Sequence, residues 1–159
     1  MAGGLPSEIA GTAGLWIVAT IAIALAVAGR NRPLDPARLR WPAGAALALQ
    51  LAHATEEYAT GFPQRFPAVL GLTPWSNRFF LAFNASWLLV WALAVAALVS
   101  GRAPLAARAA LWFLALAGVL NAVAHPLLAL RAGGYFPGLV TALPLGLAGG
   151  VLAARLSGR

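Results

Sequence analysis

Five long apolar runs, separated by short polar or proline-containing turns, cover most of the chain. They span approximately residues 7–29, 41–60, 74–100, 104–130 and 135–154. At about 1.5 Å of rise per helical residue, roughly twenty apolar residues cross the hydrocarbon core of a bilayer. The pattern therefore predicts an all-α membrane protein, with five transmembrane helices bundled in a single domain, residues 1–159.

The connection between the second and third runs is longer and has a different pattern. It contains Pro63 and Pro67, with Phe62 and Phe66 on either side of Arg65. Because proline disfavours regular helix away from a first turn, we expect residues 61–73 to form a loop. Its apolar side chains predict that this loop lies at the membrane interface, where it could cap a cavity.

Composition supports a membrane protein and disfavours other classes. Hydrophobic residues make up 61% of the chain and charged residues 9%, which is unlike a soluble globular protein. The net charge of +7 comes from eleven arginines that lie mainly between the apolar runs. Arginines in such turns orient a membrane protein and contact anionic headgroups, so the expected partner is the lipid bilayer and not nucleic acid. With no cysteine in the chain, thiolate ligands are excluded.

The arginines are distributed unequally between the two sides of a five-helix topology. One side would hold Arg30, Arg32, Arg38, Arg40, Arg102, Arg108, Arg155 and Arg159, and the other Arg65, Arg78 and Arg131. Because arginines concentrate on the cytoplasmic side, the eight-arginine side is predicted to face the cytoplasm. We therefore expect a multi-pass protein of the bacterial inner membrane, with its N-terminus outside and its C-terminus cytoplasmic.

Polar and ionisable residues interrupt the second run. An ionised side chain within a membrane segment costs on the order of 3 kcal/mol, so such residues mark a functional site. Gln50, His53 and Glu57 are spaced three and four apart and share one stripe of a helix, with Glu56 on the other flank of His53. Glu57 is thus the stronger candidate for chemistry. Glu56 is expected to act as a second ligand or to pair with Arg65.

The third and fourth runs add polar residues at a similar depth. Asn84 shares a helix face with Trp87, and Asn121 lies one turn before His125. Counting about 1.5 Å per residue from the outer ends places both histidines and both asparagines roughly 7 to 15 Å below the outer surface. The sequence therefore predicts one polar cluster inside the outer half of the bundle.

These residues also carry a resemblance to known proteins. His53-Ala54-Thr55-Glu56-Glu57, with Asn84 and Asn121-x-x-x-His125, resembles the HXXEE family of small bacterial membrane proteins over approximately residues 41–130. The resemblance implies a multi-helix membrane domain and no settled activity. A looser similarity is to emopamil-binding-type sterol isomerases, five-helix membrane enzymes whose His-x-x-x-Glu pattern His53 and Glu57 match. The remaining acidic residue of that family has no counterpart on another helix here.

Four interpretations of the polar cluster stay open. In the first, His53, Glu56, Glu57 and His125 bind a metal ion, zinc or iron, because imidazoles with carboxylates are a common ligand set for both. In the second, His53 and Glu57 exchange protons with an isoprenoid or sterol-like lipid and need no metal. In the third, the cluster serves proton- or ion-coupled transport. In the fourth, it only joins the helices by hydrogen bonds.

The first two interpretations make the chain an enzyme, which we expect to act on a small apolar or lipid-like substrate. The residues expected to carry the chemistry are His53, Glu57, His125 and Glu56. Those expected to contact the substrate or support the ligands are Asn84, Asn121, Gln50 and Trp87. Tyr135, near a predicted membrane surface, is expected to be an interfacial anchor.

Overall fold

The computed structural model describes residues 6–158, and all regular secondary structure in that range is α-helical. The predicted all-α class is therefore confirmed. The helices are α1 Ser7–Ala28, α2 Pro36–Ala59, α3 Phe62–Val69, α4 Asn77–Val99, α5 Leu105–Ala132 and α6 Leu139–Leu156. Arg159, which was counted in the predicted orientation, lies outside the described residues.

Four of these helices are long and apolar enough to cross a membrane: α1, α4, α5 and α6. The sequence predicts five such helices, and α2 is the predicted span that does not qualify, because of its composition. It has 24 residues, but Arg38 and Arg40 lie near its start and Gln50, His53 and two glutamates follow in its second half. These polar side chains lower the mean hydropathy of α2 below that of α1, α4, α5 and α6.

The start of α2 also differs from the prediction. The helix begins at Pro36, five residues before the predicted start at residue 41. The carboxylate of Asp35 is its N-cap and accepts a 2.9 Å hydrogen bond from the Ala37 amide. Proline is favoured in a first helical turn, because its missing N–H would have no helical partner there. Arg38 and Arg40 consequently lie in the first turns of α2.

The predicted loop over residues 61–73 is wrong in part, because α3 occupies Phe62–Val69. Gly61 adopts a positive φ of 84°, which lets the chain turn sharply from α2 into α3. Pro63 then lies in the first turn of α3, where proline is tolerated. The ring of Phe62 stacks on that of Phe66 at a centroid distance of 4.8 Å, so α3 turns an aromatic side inward.

Two further helices begin later than predicted. α4 starts at Asn77, after Ser76, whose hydroxyl accepts a 3.1 Å hydrogen bond from the Phe79 amide. α6 starts at Leu139 and not at residue 135, because the intervening turn ends in Gly138 with a positive φ of 85°. Capping residues, and not the first apolar residues, thus fix these boundaries.

α5 lies at the centre of the bundle. It packs against α1, α4 and α6, while α2 packs against α4 and α6 on the other side. The side chains of Leu111, Phe113 and Leu114 are buried in the main core together with Leu98 and Leu152. Every candidate site residue predicted from the sequence therefore lies on α2 or on one of two helices, α4 and α5, that contact it.

Glycines allow α5 and α6 to approach closely. A methyl group at Gly149 would lie 2.4 Å from the carbonyl oxygen of Ala115, and one at Gly146 would lie 2.2 Å from the side chain of Ala122. Gly150, by contrast, faces open space. The backbones are consequently in contact at Gly146 and Gly149, as small residues permit in membrane bundles.

We expect Gly149→Ala to destabilise the protein by about 1–3 kcal/mol, because the added methyl group overlaps a helix backbone that cannot move aside locally. Gly150→Ala is the matched control and should be neutral or slightly stabilising, since alanine is the better helix former. Thermal unfolding in detergent, followed by circular dichroism, measures both. Equal melting temperatures for the two variants would contradict this packing.

Candidate functional site

Two histidines and one glutamate form a buried cluster in the bundle. Oε1 of Glu57 lies 3.5 Å from Nε2 of His53 and 3.4 Å from Nε2 of His125. One ligand-type atom from each side chain lies within 4.8 Å of the other two. The exposed fractions are 0% for His53, 2% for His125 and 7% for Glu57. We call these three residues the His–Glu cluster.

The helices explain how the cluster assembles. His53 and Glu57 are one turn apart on α2, so they project from the same helix face. His125 comes from α5, and its ring meets that of His53 edge to face at a centroid distance of 4.7 Å. The structure thus brings together three of the four predicted ligands.

The turn between α5 and α6 fixes the orientation of His125. Its Nδ1 lies 2.7 Å from the carbonyl oxygen of Pro137. A carbonyl oxygen can only accept, so Nδ1 of His125 must carry the proton and donate. In the neutral imidazole, Nε2 is then left with a free lone pair, directed toward Glu57.

A hydrogen-bond chain orients His53 in the same way. The Thr141 hydroxyl donates to Oε2 of Glu56 at 2.5 Å, so its oxygen is available to accept a proton donor. Nδ1 of His53 lies 2.9 Å from that oxygen and therefore donates to it. Nε2 of His53 is buried and has no hydrogen-bond partner within residues 6–158. In their neutral forms, both histidines would therefore present unprotonated Nε2 atoms to the same carboxylate.

Glu56 lies outside the His–Glu cluster and is bound to the start of α6. Its carboxylate accepts hydrogen bonds from the amides of Val140 and Thr141, at 3.1 and 2.8 Å, as well as from the Thr141 hydroxyl. Gly138, the N-cap of α6, has no side chain to do this, so Glu56 caps the helix from α2. Glu56 therefore contributes no atom to the three-residue cluster, and its assignment as a metal ligand stays a prediction.

Two neighbouring residues also differ from expectation. The hydroxyl of Tyr135 donates to Glu56 at 2.6 Å, so this residue is more than an interfacial anchor. Burial, and next the hydrogen bond to Glu56, raise the pKa of the Tyr135 phenol above its ordinary value. Arg65 does not pair with Glu56. Its guanidinium instead donates to the carbonyl oxygen of Tyr135 at 3.0 Å and lies 5.5 Å from the centre of the Phe136 ring.

Gly138 leaves the space that the two imidazoles occupy. A methyl group at this position would lie 2.5 Å from Cε1 of His125 and 2.8 Å from Cε1 of His53. Gly138, Thr141 and the carbonyl of Pro137 are site groups that the sequence did not predict. The Pro137-Gly138 pair before an apolar run indicates a helix start, but only the fold shows that the histidines lie against it.

A cavity of about 360 Å³ borders the cluster. The predicted residues Gln50, Asn84, Trp87 and Asn121 all line it, together with Glu57 and His125. His53 lies behind this wall. The first turns of α1 supply five small or apolar lining residues between positions 10 and 15. Aromatic side chains from α3, α4 and the segment between them form another part of the wall: Phe62, Phe66, Trp75, Phe79, Phe80, Phe83 and Trp91.

Three polar atoms in side chains of the cavity wall have no partner among the described residues. They are Oε1 of Gln50 and the Nε1 atoms of Trp75 and Trp91, and all three side chains are buried. Asn84 uses its amide nitrogen to donate to the Phe80 carbonyl at 3.0 Å, which leaves its oxygen able to accept from the cavity. The cavity is therefore apolar along most of its wall and polar at a few points near the cluster.

Comparison with known proteins adds the family. A family model described as a protein of unknown function with HXXEE motif matches residues 44–153, which include the motif His53-Ala54-Thr55-Glu56-Glu57. No match was found among curated proteins or among solved structures, and the similarity to emopamil-binding-type sterol isomerases stays a prediction. Because the matched range covers more than half of the 159 residues, the chain belongs to the HXXEE-motif family.

Proposed function

We propose that this protein is a metal-dependent membrane enzyme whose His53, Glu57 and His125 hold a zinc or iron ion beside a cavity for a small apolar or lipid-like substrate. The observation that carries this proposal is the pair of distances from Glu57 Oε1 to the two Nε2 atoms, 3.5 and 3.4 Å. Both are longer than the 2.7–3.2 Å of ordinary N–H···O hydrogen bonds. Two ligands at about 2.0–2.2 Å from one tetrahedral ion are about 3.3–3.6 Å apart, which agrees with these two distances.

The hydrogen bonds around the cluster support the same proposal. Histidine ligands typically bind metal through one ring nitrogen and donate the other N–H to a carbonyl or carboxylate. His125 donates to the Pro137 carbonyl, and His53 donates to Thr141, which in turn is bound to Glu56. An orphaned buried acceptor such as Nε2 of His53 costs about 1–3 kcal/mol, which metal binding would recover.

The set of three protein ligands resembles catalytic sites more than structural ones. Structural zinc sites use four protein ligands, whereas catalytic sites use three and keep a position open. Two of the three proposed ligands, Glu57 and His125, border the cavity. A bound ion would supply Lewis acidity toward a substrate oxygen or toward water.

The cavity supports a substrate with an apolar body and a single polar group. Its volume of about 360 Å³ is at the lower end of the roughly 300–1,000 Å³ of small-molecule sites. The aromatic rings of α3 and α4 would contact the apolar body. Gln50, Asn84 and Asn121 would bind and orient the polar group near the cluster, and the unpartnered Gln50 oxygen favours a group that donates a hydrogen bond, such as a hydroxyl.

We further propose that α2 crosses the membrane as a fifth helix, in the bacterial inner membrane. Its polar residues Gln50, His53 and Glu57 are buried within the bundle, which would shield them from lipid. The turn that joins the end of α1 to the start of α2 is rich in arginine. The positive-inside rule therefore assigns this turn to the cytoplasmic side.

Metal content is expected to depend on the His–Glu cluster. Wild-type protein purified in detergent, incubated with Zn²⁺ or Co²⁺ and desalted, should retain about one ion per chain. His53→Ala, His125→Ala and Glu57→Gln should each reduce this to a small fraction, because each removes one of three ligands. Elemental analysis measures the content, and Co²⁺ absorption reports the ligand geometry.

Glu8→Gln is the control for this experiment. It removes the same charge as Glu57→Gln, but Glu8 lies in the first turn of α1 and is not a member of the cluster. Metal that is substoichiometric in the wild type and unchanged by the cluster variants would contradict the proposal. It would point instead to metal-free acid–base chemistry by His53 and Glu57.

Thr141→Val should weaken metal binding about 10- to 100-fold, because His53 loses the acceptor that fixes its tautomer. Thr141→Ser keeps the hydroxyl and should restore most of the affinity. Thr55→Val is the matched control, since the Thr55 hydroxyl bonds only to the Leu51 carbonyl of its own helix. Competition with a chromogenic chelator measures all three. An affinity unchanged in Thr141→Val would show that the hydrogen-bond chain does not support the ligands.

A topology reporter tests the proposed five spans. With the N-terminus outside, a fluorescent protein that matures only in the cytoplasm should be active when fused after residue 159 and inactive when fused before residue 1. Alkaline phosphatase, which needs an oxidising compartment, should give the opposite result. Reporter activity on the same side for both termini would require an even number of spans and would contradict a membrane-crossing α2.

A further inference from the structure

A second pocket lies at the other end of the bundle from the His–Glu cluster. It has a volume of about 390 Å³ and is formed where α1 ends, α2 begins, α4 ends and α5 begins. Arg30, Arg32 and Arg108 line it, with the backbone of the α1–α2 turn and the segment before α5. Because α1, α4 and α5 can each cross a membrane, their common end lies at the level of lipid headgroups.

Arg108 is unusual because it is buried without a carboxylate partner. Only 6% of its surface is exposed. The hydrogen bond that the structure gives its guanidinium runs from Nη2 to the carbonyl of Arg32. An arginine has five N–H donors, so most of the donor capacity of this group is unused by the described residues. The absence of a side chain at Gly29 leaves room beside Nη1.

The acidic residues of the chain are too few and too distant to neutralise this pocket. Glu8 is in the first turn of α1, at the opposite end of a 22-residue helix, and Glu56 and Glu57 lie at the far end of α2. Asp35 is nearer, but its carboxylate caps α2. Among the described residues, no arginine has a carboxylate oxygen within 4.0 Å. Buried charges in proteins are normally paired with an opposite charge, so the Arg108 guanidinium is expected to bind an anion from outside the chain.

We propose that this pocket binds the phosphate group of an anionic lipid headgroup. The planar guanidinium of Arg108 can donate two parallel hydrogen bonds to a phosphate, and Arg30 and Arg32 add positive charge at the pocket rim. A lipid is favoured over free phosphate for two reasons. The pocket lies where the apolar helices end at the level of the lipid headgroups, and its wall includes the apolar side chains of Leu34 and Leu98. The site is separate from the His–Glu cluster and does not depend on metal binding.

Lipid binding to detergent-purified protein tests this proposal. Dioleoylphosphatidylglycerol and dioleoylphosphatidylcholine are titrated in mixed micelles, and bound lipid is quantified by native mass spectrometry. We expect phosphatidylglycerol to bind at least about tenfold more tightly, with a preference that falls as salt is raised. Arg108→Gln should reduce the preference about tenfold or more, and Arg30→Gln about threefold.

Arg38→Gln is the matched control, because Arg38 is exposed on the same end of the bundle and does not line the pocket. It should leave the preference within about twofold of wild type. If Arg108→Gln does not purify as folded protein, the lipid preferences of Arg30→Gln and Arg38→Gln are compared instead. Both arginines are exposed, and only Arg30 lines the pocket. If Arg38→Gln lost as much of the phosphatidylglycerol preference as the pocket variants, the preference would come from general surface charge, and the proposed site would be wrong.

Inorganic phosphate distinguishes the two sources of the anion. It should displace phosphatidylglycerol only at concentrations far above that of the lipid, because it lacks the glycerol and acyl groups. A lack of preference between the two lipids, combined with Arg108-dependent binding of inorganic phosphate alone, would show that the lipid assignment is wrong.

Discussion

The site depends on the hydrogen bonds between the Glu56 carboxylate and the first backbone amides of α6. α6 begins at a glycine that offers no side chain for its first amides, and Glu56 from α2 accepts hydrogen bonds from two of them. A carboxylate at a helix N-terminus stabilises it by about 0.3–2 kcal/mol, more when partly buried. The same contact holds the α5–α6 turn against α2. Because that turn supplies the Pro137 carbonyl and Gly138, and the first turn of α6 supplies the Thr141 hydroxyl, the contact also positions both imidazoles.

The two adjacent glutamates of the motif therefore do different work. Successive helical residues point about 100° apart, so Glu56 and Glu57 cannot both face the same partner. Glu57 shares the face of His53 and joins His125, whereas Glu56 points to α6 and reaches His53 only through Thr141. The spacing of His-x-x-Glu-Glu thus allows α2 to supply two cluster residues, His53 and Glu57. It also supplies Glu56, which caps α6 and orients His53 through Thr141.

This division explains how far the sequence could predict the site. The i, i+4 pair on α2 and the similar depth of His125 follow from helix geometry, and the cavity lining of Asn84, Asn121 and Gln50 agrees with that reasoning. The partners Gly138 and Thr141 could not be predicted, because they lie more than 80 residues from His53 and belong to a turn whose position depends on the whole bundle. For the same reason the role of Glu56 was misjudged. From sequence alone, the nearest opposite charge was Arg65, whereas the fold offers helix amides.

The fold was predictable to a similar extent. Long apolar runs identify α1, α4, α5 and α6, but the start of α2 at Pro36 depends on capping by Asp35, and α3 forms in a stretch where two prolines suggested a loop. In α3 the first proline lies where a helix tolerates it, and tertiary packing of Phe62 and its neighbours supplies the stability that eight residues could not provide alone. Local propensity was overridden there by burial of aromatic surface.

The position of His53 relative to the cavity distinguishes its role from those of the other two cluster residues. His53 is fully buried and does not line the cavity, whereas Glu57 and His125 do. A substrate in the cavity would therefore meet the cluster from the side of Glu57 and His125, with His53 behind them. His53 would not contact such a substrate directly, so in the proposed enzyme its contribution would pass through a shared ion or through Glu57. This placement favours a role for His53 as a metal ligand over a role as a general base. A catalytic metal site needs one coordination position open to the substrate, and a ligand behind the cavity wall leaves that position free.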